Sequence, residues 1–206
     1  DRPVAATSTR SPRRVERVTL WTVSGMAAHY TGRPRPHRKP EEPRATVFLP
    51  RIDPPLNLVL VEPQIPPNTG NVARLCAVTG ARLHLVGPLG FSVAQKDLRR
   101  AGLDYWDKVF QRYYPSLDDY LAEHAAARRH LFSARARCSL WEAEFRPDDH
   151  LVFGSEPEGL PASLVAAHPE QTVGIPMLPE RRSLNLSTAV GIATYEAIRQ
   201  QLFRAR

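Results

Sequence analysis

Two polar side chains stand out in the segment IPPNTGNVARLCAVTG (65–80), which directly follows the apolar run LNLVLV (56–61). Asn68 offers an amide and Arg74 a guanidinium, groups that hydrogen-bond and position a hydroxyl or a phosphate. The two prolines and Gly70 predict a strand-to-helix loop that presents Asn68 and sets Arg74 one to two turns into a helix, with both side chains facing one cleft. Each residue alone also fits a solvated surface, so the interpretation depends on the rest of the chain.

Two further segments share this character, GSEPEGLP (154–161) and PMLPERRSLNLS (176–187). Gly154 and Gly159 would let a ligand approach the main chain closely, and Glu156 is the clearest carboxylate nearby. Such loops suit a flat, largely uncharged group, for example a purine, held by backbone amides and carbonyls. Considered alone, GSEPEGLP is better explained by a plain Gly-Pro loop at the start of a helix.

Several other chemistries lack their residue patterns. No GxGxxG follows the first predicted strand, and no GxxxxGK[ST] occurs, so neither a dinucleotide fingerprint nor a P-loop is present. Gly154 immediately precedes Ser155, which leaves no Gly-x-Ser-x-Gly nucleophile motif. The histidines are scattered, and Cys76 and Cys138 stand singly, which favours reduced thiols over a disulfide or a metal site. We therefore expect no metal cofactor.

Short β-type runs alternate with longer helical runs from residue 56 onward. The predicted strands lie at 56–61, 82–87, 108–113, 129–134, 150–154 and 172–176, and the predicted helices at 70–80, 93–103, 116–127, 160–167 and 184–203. Ser116 fits a helix start, and Gly80 and Gly102 fit helix ends. The alternation predicts an α/β fold whose mostly parallel sheet carries helices on both faces. Ligands of such sheets lie beyond the carboxyl ends of the strands.

The chain divides into two parts by composition. Residues 1–55 hold nine of the 20 prolines and 11 Lys or Arg against five Asp or Glu, whereas residues 56–206 are almost neutral. The first part cannot bury enough apolar surface to order itself, so it is predicted to be disordered. A dispensable extension is the simpler interpretation of it, and an RNA-binding arm is the alternative. No run of 18 or more apolar residues occurs, so the sequence predicts no membrane span and a cytoplasmic protein.

Four separated motifs together resemble the SPOUT superfamily of RNA methyltransferases. They are LNLVLVEPQIPPNTGNVARLCAVTGARLHLVGP, LRRAGLDYW, LVFGSEPEGLP and IPMLPERRSLNLSTAVGIATYEAIRQ, in this order within residues 56–206. Within the superfamily, the chain is most similar to the tRNA 2'-O-methyltransferases that act on the wobble cytidine or uridine. The resemblance implies an α/β fold with a C-terminal trefoil knot, S-adenosylmethionine as methyl donor, a homodimer and the tRNA anticodon stem-loop as partner.

The resemblance also implies a cofactor pocket. It places this pocket on Ala134, Gly154, Ile175, Ser183 and Asn185, acting mostly through main-chain groups, with Met177 and Leu178 as apolar walls and Glu156 and Gly159 in the same loop as Gly154. The turn after the strand that ends near Ala134 departs from the Thr-rich turn often found there. Glu158 also stands where some relatives carry a basic or small residue.

The catalytic residues that the resemblance implies are Asn68, Arg74 and Tyr195. Arg74 is the residue commonly proposed as the base, yet guanidinium groups stay protonated in proteins, so a fixed fork that grips a phosphate is an equally good role. Tyr195 either lies near the acceptor nucleotide or packs in a dimer interface or core. Arg99 and Arg100 are candidates for phosphate contacts.

Two alternatives to wobble methylation remain open from the sequence. One is 2'-O-methylation of ribosomal RNA or of another tRNA position, to which residues 1–55 could direct the protein. The other is a non-catalytic RNA-binding protein that has kept the fold.

Overall fold

The computed structural model describes residues 48–91, 109–181 and 183–203. Its contacts divide the chain into two units, Asp1–Pro50 and Arg51–Arg206. Residues 1–47 of the segment predicted to be disordered lie outside the described residues. The predicted helix at 93–103, with Gly102 at its end and Arg99 and Arg100 within it, lies outside them too. The fold below is that of the second unit.

Seven strands and four α-helices make up the described fold. The strands are β1 (Asn57–Val61), β2 (Arg82–Val86), β3 (Phe110–Tyr114), β4 (Arg129–Phe132), β5 (Cys138–Ser139), β6 (His150–Phe153) and β7 (Thr172–Gly174). The helices are α1 (Pro66–Thr79), α2 (Leu117–Glu123), α3 (Ala162–Ala167) and α4 (Leu186–Phe203), and a 3₁₀ turn spans Pro169–Gln171. All six predicted strands are present, and β5 is an addition.

The strands form one sheet in the order β3-β2-β1-β6-β4-β7-β5, and every pairing between them is parallel. Alternate residues of the central strands face opposite ways, so Leu58 and Leu60 pack with α1 and α4 while Val59 and Val61 pack with α2 and α3. The predicted α/β fold with helices on both faces is confirmed. The knot implied by the resemblance stays a prediction.

Helix α1 begins earlier than predicted, at Pro66 rather than residue 70. The helix begins with two prolines. The N–H groups of the first turn have no partner within a helix, so proline, which has no backbone N–H, loses no hydrogen bond there. Gly80 ends the helix as predicted, with a φ of 78° and a backbone N–H that donates to the Cys76 carbonyl at 2.8 Å. The early start places Asn68 inside the first turn rather than in a loop.

Other local predictions meet mixed outcomes. The hydroxyl of Ser116 accepts from the Asp119 backbone N–H at 3.2 Å, so the predicted start of α2 is confirmed, but the helix ends at Glu123. Cys76 is buried in the core, where burial raises the pKa of its thiol. Strand β5 was not predicted because Cys138 and Ser139 carry no β-type apolar pattern.

In the part of the chain that the structure describes, no helix is both long enough and apolar enough to cross a membrane. This agrees with the absence of a long apolar run in the sequence.

Candidate active site

A cavity of about 890 Å³ lies at the carboxyl ends of β4, β6 and β7. Its walls include the residues that come directly after these strands, namely Ser133, Gly154 and Ile175. The start of α1, the segment before α4 and one side of α3 complete it. The three segments singled out in the sequence therefore meet at one place, as parallel-sheet geometry predicts.

The carboxylate of Glu156 connects the loop after β6 to the start of α1. Its Oε1 accepts from the Asn68 side-chain amide at 2.8 Å and from the Ile65 backbone N–H at 3.2 Å, and its Oε2 accepts from the Gln64 backbone N–H at 2.8 Å. These N–H groups stand before or within the first turn, where no helical partner is available. Glu156 thus fixes the chain that enters α1.

Asn185 extends this connection to the start of α4. Its side-chain amide donates to Asn68 Oδ1 at 2.9 Å, while its own Oδ1 accepts from the Thr188 backbone N–H at 3.2 Å and from the Ser187 hydroxyl at 2.8 Å. Asn185 is therefore the N-cap of α4. We call the three side chains Glu156, Asn68 and Asn185 the polar brace, since they tie two helix starts and one loop together.

The polar brace holds its carboxylate in the charged form. Burial opposes ionisation of Glu156, but hydrogen bonds from Asn68 and from the Gln64, Glu156 and Ile65 backbone N–H groups outweigh burial and lower the pKa of its carboxyl. A carboxylate with a lowered pKa is a weak proton acceptor near neutral pH. Its position fits holding the walls of the cavity better than accepting a proton.

The two glycines of the loop after β6 shape the loop itself. A Cβ on Gly154 would meet the backbone carbon of Gly159 at 1.9 Å, so the space on that side of Gly154 is filled by its own loop. Gly159 has a φ of 74° and donates its N–H to the Ser155 carbonyl at 2.8 Å, which closes a tight turn. Both glycines line the cavity, and the expectation that they admit a ligand to their main chain stays a prediction.

Apolar side chains line much of the remaining cavity. Phe132 and Phe153, the last residues of adjacent strands, stack with ring centroids 4.5 Å apart and planes 11° apart. Ile175, Met177 and Leu160 add aliphatic surface. The combination of apolar walls with a few fixed polar groups is typical of small-molecule sites.

The structure brings together most of the predicted cofactor residues. The lining contains Ala134, Gly154, Glu156, Gly159, Ile175, Met177, Ser183 and Asn185, together with Asn68 from the predicted acceptor set. Leu178 does not line the cavity, because its side chain points to solvent with 76% of its surface exposed. Its part as an apolar wall stays a prediction.

Asn68 and Arg74 do not face the same cavity. Six residues of helix turn through about 600°, so the two side chains of α1 leave the axis about 120° apart. Asn68 is buried at 5% exposure in the polar brace, whereas Arg74 is exposed and lies outside the cavity lining. The prediction that Asn68 points outward and shares a cleft with Arg74 is therefore wrong for this single chain.

Tyr195 also lies away from the cavity. It is on the outward side of α4 with 49% of its surface exposed, so the core-packing alternative is excluded and direct contact with the cavity is not seen. Arg74 and Tyr195 both belong to the outer surfaces of the two helices that pack together on one face of the sheet.

Some site residues were missed by sequence reasoning. Phe132, Phe153 and Leu160 line the cavity, and the backbone N–H groups of Gln64 and Ile65 hold its carboxylate. The two phenylalanines could have been predicted from the sequence, because they lie near the carboxyl ends of predicted strands and such residues border any site at that edge of the sheet.

Comparisons with known proteins agree with this geometry. The SpoU rRNA Methylase family matches residues 55–195. A tRNA (cytidine(34)-2'-O)-methyltransferase of Burkholderia pseudomallei (strain 1106a) is 49% identical over 150 residues, covering 71% of this chain and 96% of that protein. The Escherichia coli (strain K12) protein of the same name is 45% identical over 146 residues, covering 70% of this chain and 93% of that protein.

A solved structure described as "Structural insights into the 2-OH methylation of C/U34 on tRNA" is 50% identical, with a TM-score of 0.66, and covers 71% of this chain and 96% of that chain. The matched regions contain all three segments that form the cavity, and the resemblance found in the motifs is confirmed. The chain belongs to the SpoU rRNA Methylase family.

Proposed function

We propose that this protein transfers the methyl group of S-adenosylmethionine to the ribose 2'-oxygen of the nucleotide at position 34 of tRNA. The observation that carries the proposal is the convergence of three separated segments on one cavity, fixed by the polar brace. Relatives named for this reaction match the chain at 44–49% identity over nearly their whole length. Such a reaction would place the protein in the cytoplasm with its tRNA.

The cavity fits the methyl donor in size and in chemistry. Its volume of about 890 Å³ lies within the range of about 300 to 1,000 Å³ that is usual for small-molecule sites. The lining segments 133–135, 154–159, 175–177 and 183–185 lie outside the named strands and helices, so they offer backbone N–H and carbonyl groups for an adenine and a ribose. Ile175, Met177 and Leu160 supply the apolar surface for the flat base.

S-adenosylmethionine supplies, when bound, an electrophilic methyl group for an incoming ribose 2'-oxygen. The chain contributes fixed walls, because the polar brace holds the α1 start, the loop after β6 and the α4 start in one arrangement. Alignment of two reactants in this way lowers a barrier by about 7 to 11 kcal/mol in the best intramolecular cases. Glu156 is engaged by three N–H groups, so its part is to position and not to accept the 2'-hydroxyl proton.

A homodimer would account for the outer surfaces of α1 and α4. Val78 on α1 is 62% exposed and Tyr195 on α4 is 49% exposed, although both helices pack together on the same face of the sheet. Arg74 lies one turn before Val78 on α1, so a second copy covering Val78 would also cover Arg74. We propose that Arg74 serves the site of the partner subunit, where its guanidinium grips the RNA.

The proposed reaction is tested with labelled S-adenosylmethionine and bulk tRNA that lacks wobble methylation. Nuclease digestion and mass spectrometry should locate the new methyl group on the ribose of nucleotide 34. The description of the matching family names ribosomal RNA as the substrate of methylation, so ribosomal RNA is assayed alongside tRNA. Methylation of a base, of ribosomal RNA only, or of no anticodon ribose would contradict the proposal.

The role of Arg74 is tested by mixing two variants. Arg74→Lys keeps the charge but loses the guanidinium fork, and Asn185→Ala breaks the polar brace, so each homodimer should be nearly inactive. Co-refolded mixtures should regain about a quarter of wild-type activity, since half of the random dimers contain one intact site. No recovery in dimers of confirmed mixed composition would show that Arg74 does not act across the interface, and wild-type turnover by Arg74→Lys would exclude any role for the fork.

A further inference from the structure

The turn that follows β4 is held firmly although it has no regular structure. The Ser133 backbone N–H donates to the Val173 carbonyl at 3.1 Å, which continues the sheet beyond the last strand residue. The Ser133 hydroxyl then accepts from the Arg135 backbone N–H at 3.1 Å, and its carbonyl accepts from the Ala136 N–H at 3.3 Å. These contacts fix the backbone of residues 133–137 against β7.

Ala136 of this turn faces the protein, whereas the residues on either side of it face solvent. Ala136 packs inward, because a Cβ on Gly174 of β7 would lie only 3.2 Å from the Ala136 Cβ. Arg135 and Arg137, on either side of it, are both exposed. Arg135 also belongs to the lining of the cavity, whereas Arg137 does not. The turn therefore presents two guanidinium groups at and beside the cavity mouth.

Neither guanidinium has a carboxylate partner among the described residues. Several other arginines in these residues are paired with carboxylates, for example Arg82 with Asp148, Arg112 with Glu123 and Arg199 with Glu196. The acidic side chain nearest in sequence is Glu142, and its carboxylate accepts from the Ser139 backbone N–H at 3.0 Å. The positive charges at the cavity mouth are left available for an external anion.

We propose that Arg135 and Arg137 bind backbone phosphates of the substrate RNA beside the ribose that is methylated. This inference rests on the proposed function, since it names how that substrate is held. RNA affinity depends strongly on phosphate contacts, and residues 56–206 are almost neutral, so local arginines carry more weight than a general basic surface. Binding of a cofactor carboxylate would account for the position of Arg135 but not for that of Arg137, because Arg137 lies outside the cavity lining.

The test uses the full chain with Arg135→Gln, Arg137→Gln and the double variant. Arg112→Gln is the matched control, since it removes one exposed arginine near the opposite edge of the sheet, on β3. Binding of tRNA is measured from low to high salt, binding of S-adenosylhomocysteine by calorimetry, and folding by thermal denaturation.

Each single variant should weaken tRNA binding by roughly three- to tenfold. In the double variant, the slope of log Kd against the logarithm of the salt concentration should be smaller by about one to two. Binding of S-adenosylhomocysteine should equal that of Arg112→Gln. The melting temperature should equal that of the wild-type chain, because neither arginine has an ion pair among the described residues, whereas Arg112→Gln also loses the pair with Glu123. Lysine at both positions should recover most of the tRNA affinity, because the charges return.

Two results would overturn the inference. One is tRNA affinity and salt dependence in the double variant equal to those of Arg112→Gln. The other is weaker S-adenosylhomocysteine binding with unchanged tRNA affinity, which would assign Arg135 to the cofactor carboxylate. Failure of the proposed function is distinguishable, since the wild-type chain itself would then place no methyl group on nucleotide 34.

Discussion

Two of the polar networks among the described residues differ in burial, in charge and in place. The polar brace is built around the ionised carboxylate of Glu156 and borders the cavity. The second network lies on the sheet face covered by α2 and α3, and we call it the histidine–tyrosine cluster. It consists of His84, Tyr114, Tyr120, His124 and His150, and none of these residues lines the cavity.

The histidine–tyrosine cluster is arranged for neutral side chains. Asn57 Oδ1 can only accept, so His84 Nε2–H donates to it at 3.1 Å, and His84 Nδ1 accepts from the Tyr114 hydroxyl at 3.2 Å. Burial, followed by the nearby His150 and His124, lowers the pKa of His84 to about 3. Burial and His124 likewise lower the pKa of His150 to about 4.

The difference shows that buried polar groups and shifted pKa values do not by themselves mark a site. The larger pKa shifts belong to the cluster, whose residues do not line the described cavity, whereas the polar brace has one carboxylate with a lowered pKa and connects three cavity walls. We therefore expect changes in the polar brace to reduce catalysis and changes in the cluster to reduce stability.

Gly154→Ala should have the largest effect on activity. Its Cβ would overlap the backbone of Gly159, so the loop that carries Glu156 has to move. Methyl transfer should fall by about a thousandfold or more, which corresponds to over about 4 kcal/mol. Gly159→Ala is the matched comparison, because its Cβ meets open space and only the positive φ is unfavourable, at about 1 kcal/mol. Equal kcat/KM values for the two variants would contradict this view of the loop.

Glu156→Gln should follow in size. A glutamine has one acceptor oxygen for three N–H donors and turns an NH₂ group toward at least one of them. We expect kcat/KM to fall about a hundredfold, equivalent to about 2.7 kcal/mol, while the protein stays folded. Steady-state kinetics measures this, with Glu170→Gln on the surface as control. A folded variant with normal kcat/KM would show that the polar brace does not position the site.

Stability should decline as the pH falls below about 6.5. The pKa values of His84 and His150 are lowered in the folded state, so the unfolded chain binds more protons between pH 6.5 and about 4. Each histidine contributes a slope of up to about 1.4 kcal/mol per pH unit in that window, and its contribution is complete above pH 6.5. Urea unfolding at several pH values tests this.

A variant pair isolates the histidine contribution. His150→Asn should reduce the slope of unfolding free energy against pH, whereas His168→Asn, a partly exposed histidine outside the cluster, should leave it unchanged. An unchanged slope in His150→Asn would assign the acid sensitivity to other groups.

Tyr120→Phe should have the smallest effect. It removes the hydroxyl that hydrogen-bonds His150 Nδ1 at 2.8 Å, leaving a buried ring nitrogen without its partner. The free energy of unfolding should fall by about 1 to 2 kcal/mol, while kcat/KM of the folded protein stays the same. Chemical denaturation and kinetics on one preparation measure both, and a selective loss of kcat/KM would remove the distinction between the two networks.

The sheet was predictable from the sequence because its central strands are short apolar runs bounded by turn residues. Leu58, Leu83 and Leu151 mark strands that the period of apolar residues identifies locally. Strand β5 was not predictable, since a two-residue strand at an edge depends on β7 and not on its own sequence.

The site was predictable in its location but not in its contacts. The alternation of strands and helices predicts a parallel sheet with its site at the carboxyl ends of the strands. Residues that directly follow a predicted strand, such as Gly154, were therefore expected at the cavity, where they lie. The hydrogen bonds of Glu156 and Asn185 to Asn68 join residues 88 and 117 positions apart, and no local pattern reports such pairs. If the helix had been predicted to start at Pro66, the turn of about 100° per residue would have shown that the Asn68 and Arg74 side chains point in different directions.

The long sequence separations in the polar brace have a consequence for biosynthesis. Asn68 and Glu156 leave the ribosome first, but the brace is complete only when Asn185 follows, 117 residues after Asn68. A nascent chain that ends before Asn185 has every strand of the described sheet and still lacks one wall of the cavity. Methyl-transfer activity should therefore begin only after Asn185 has been added to the chain.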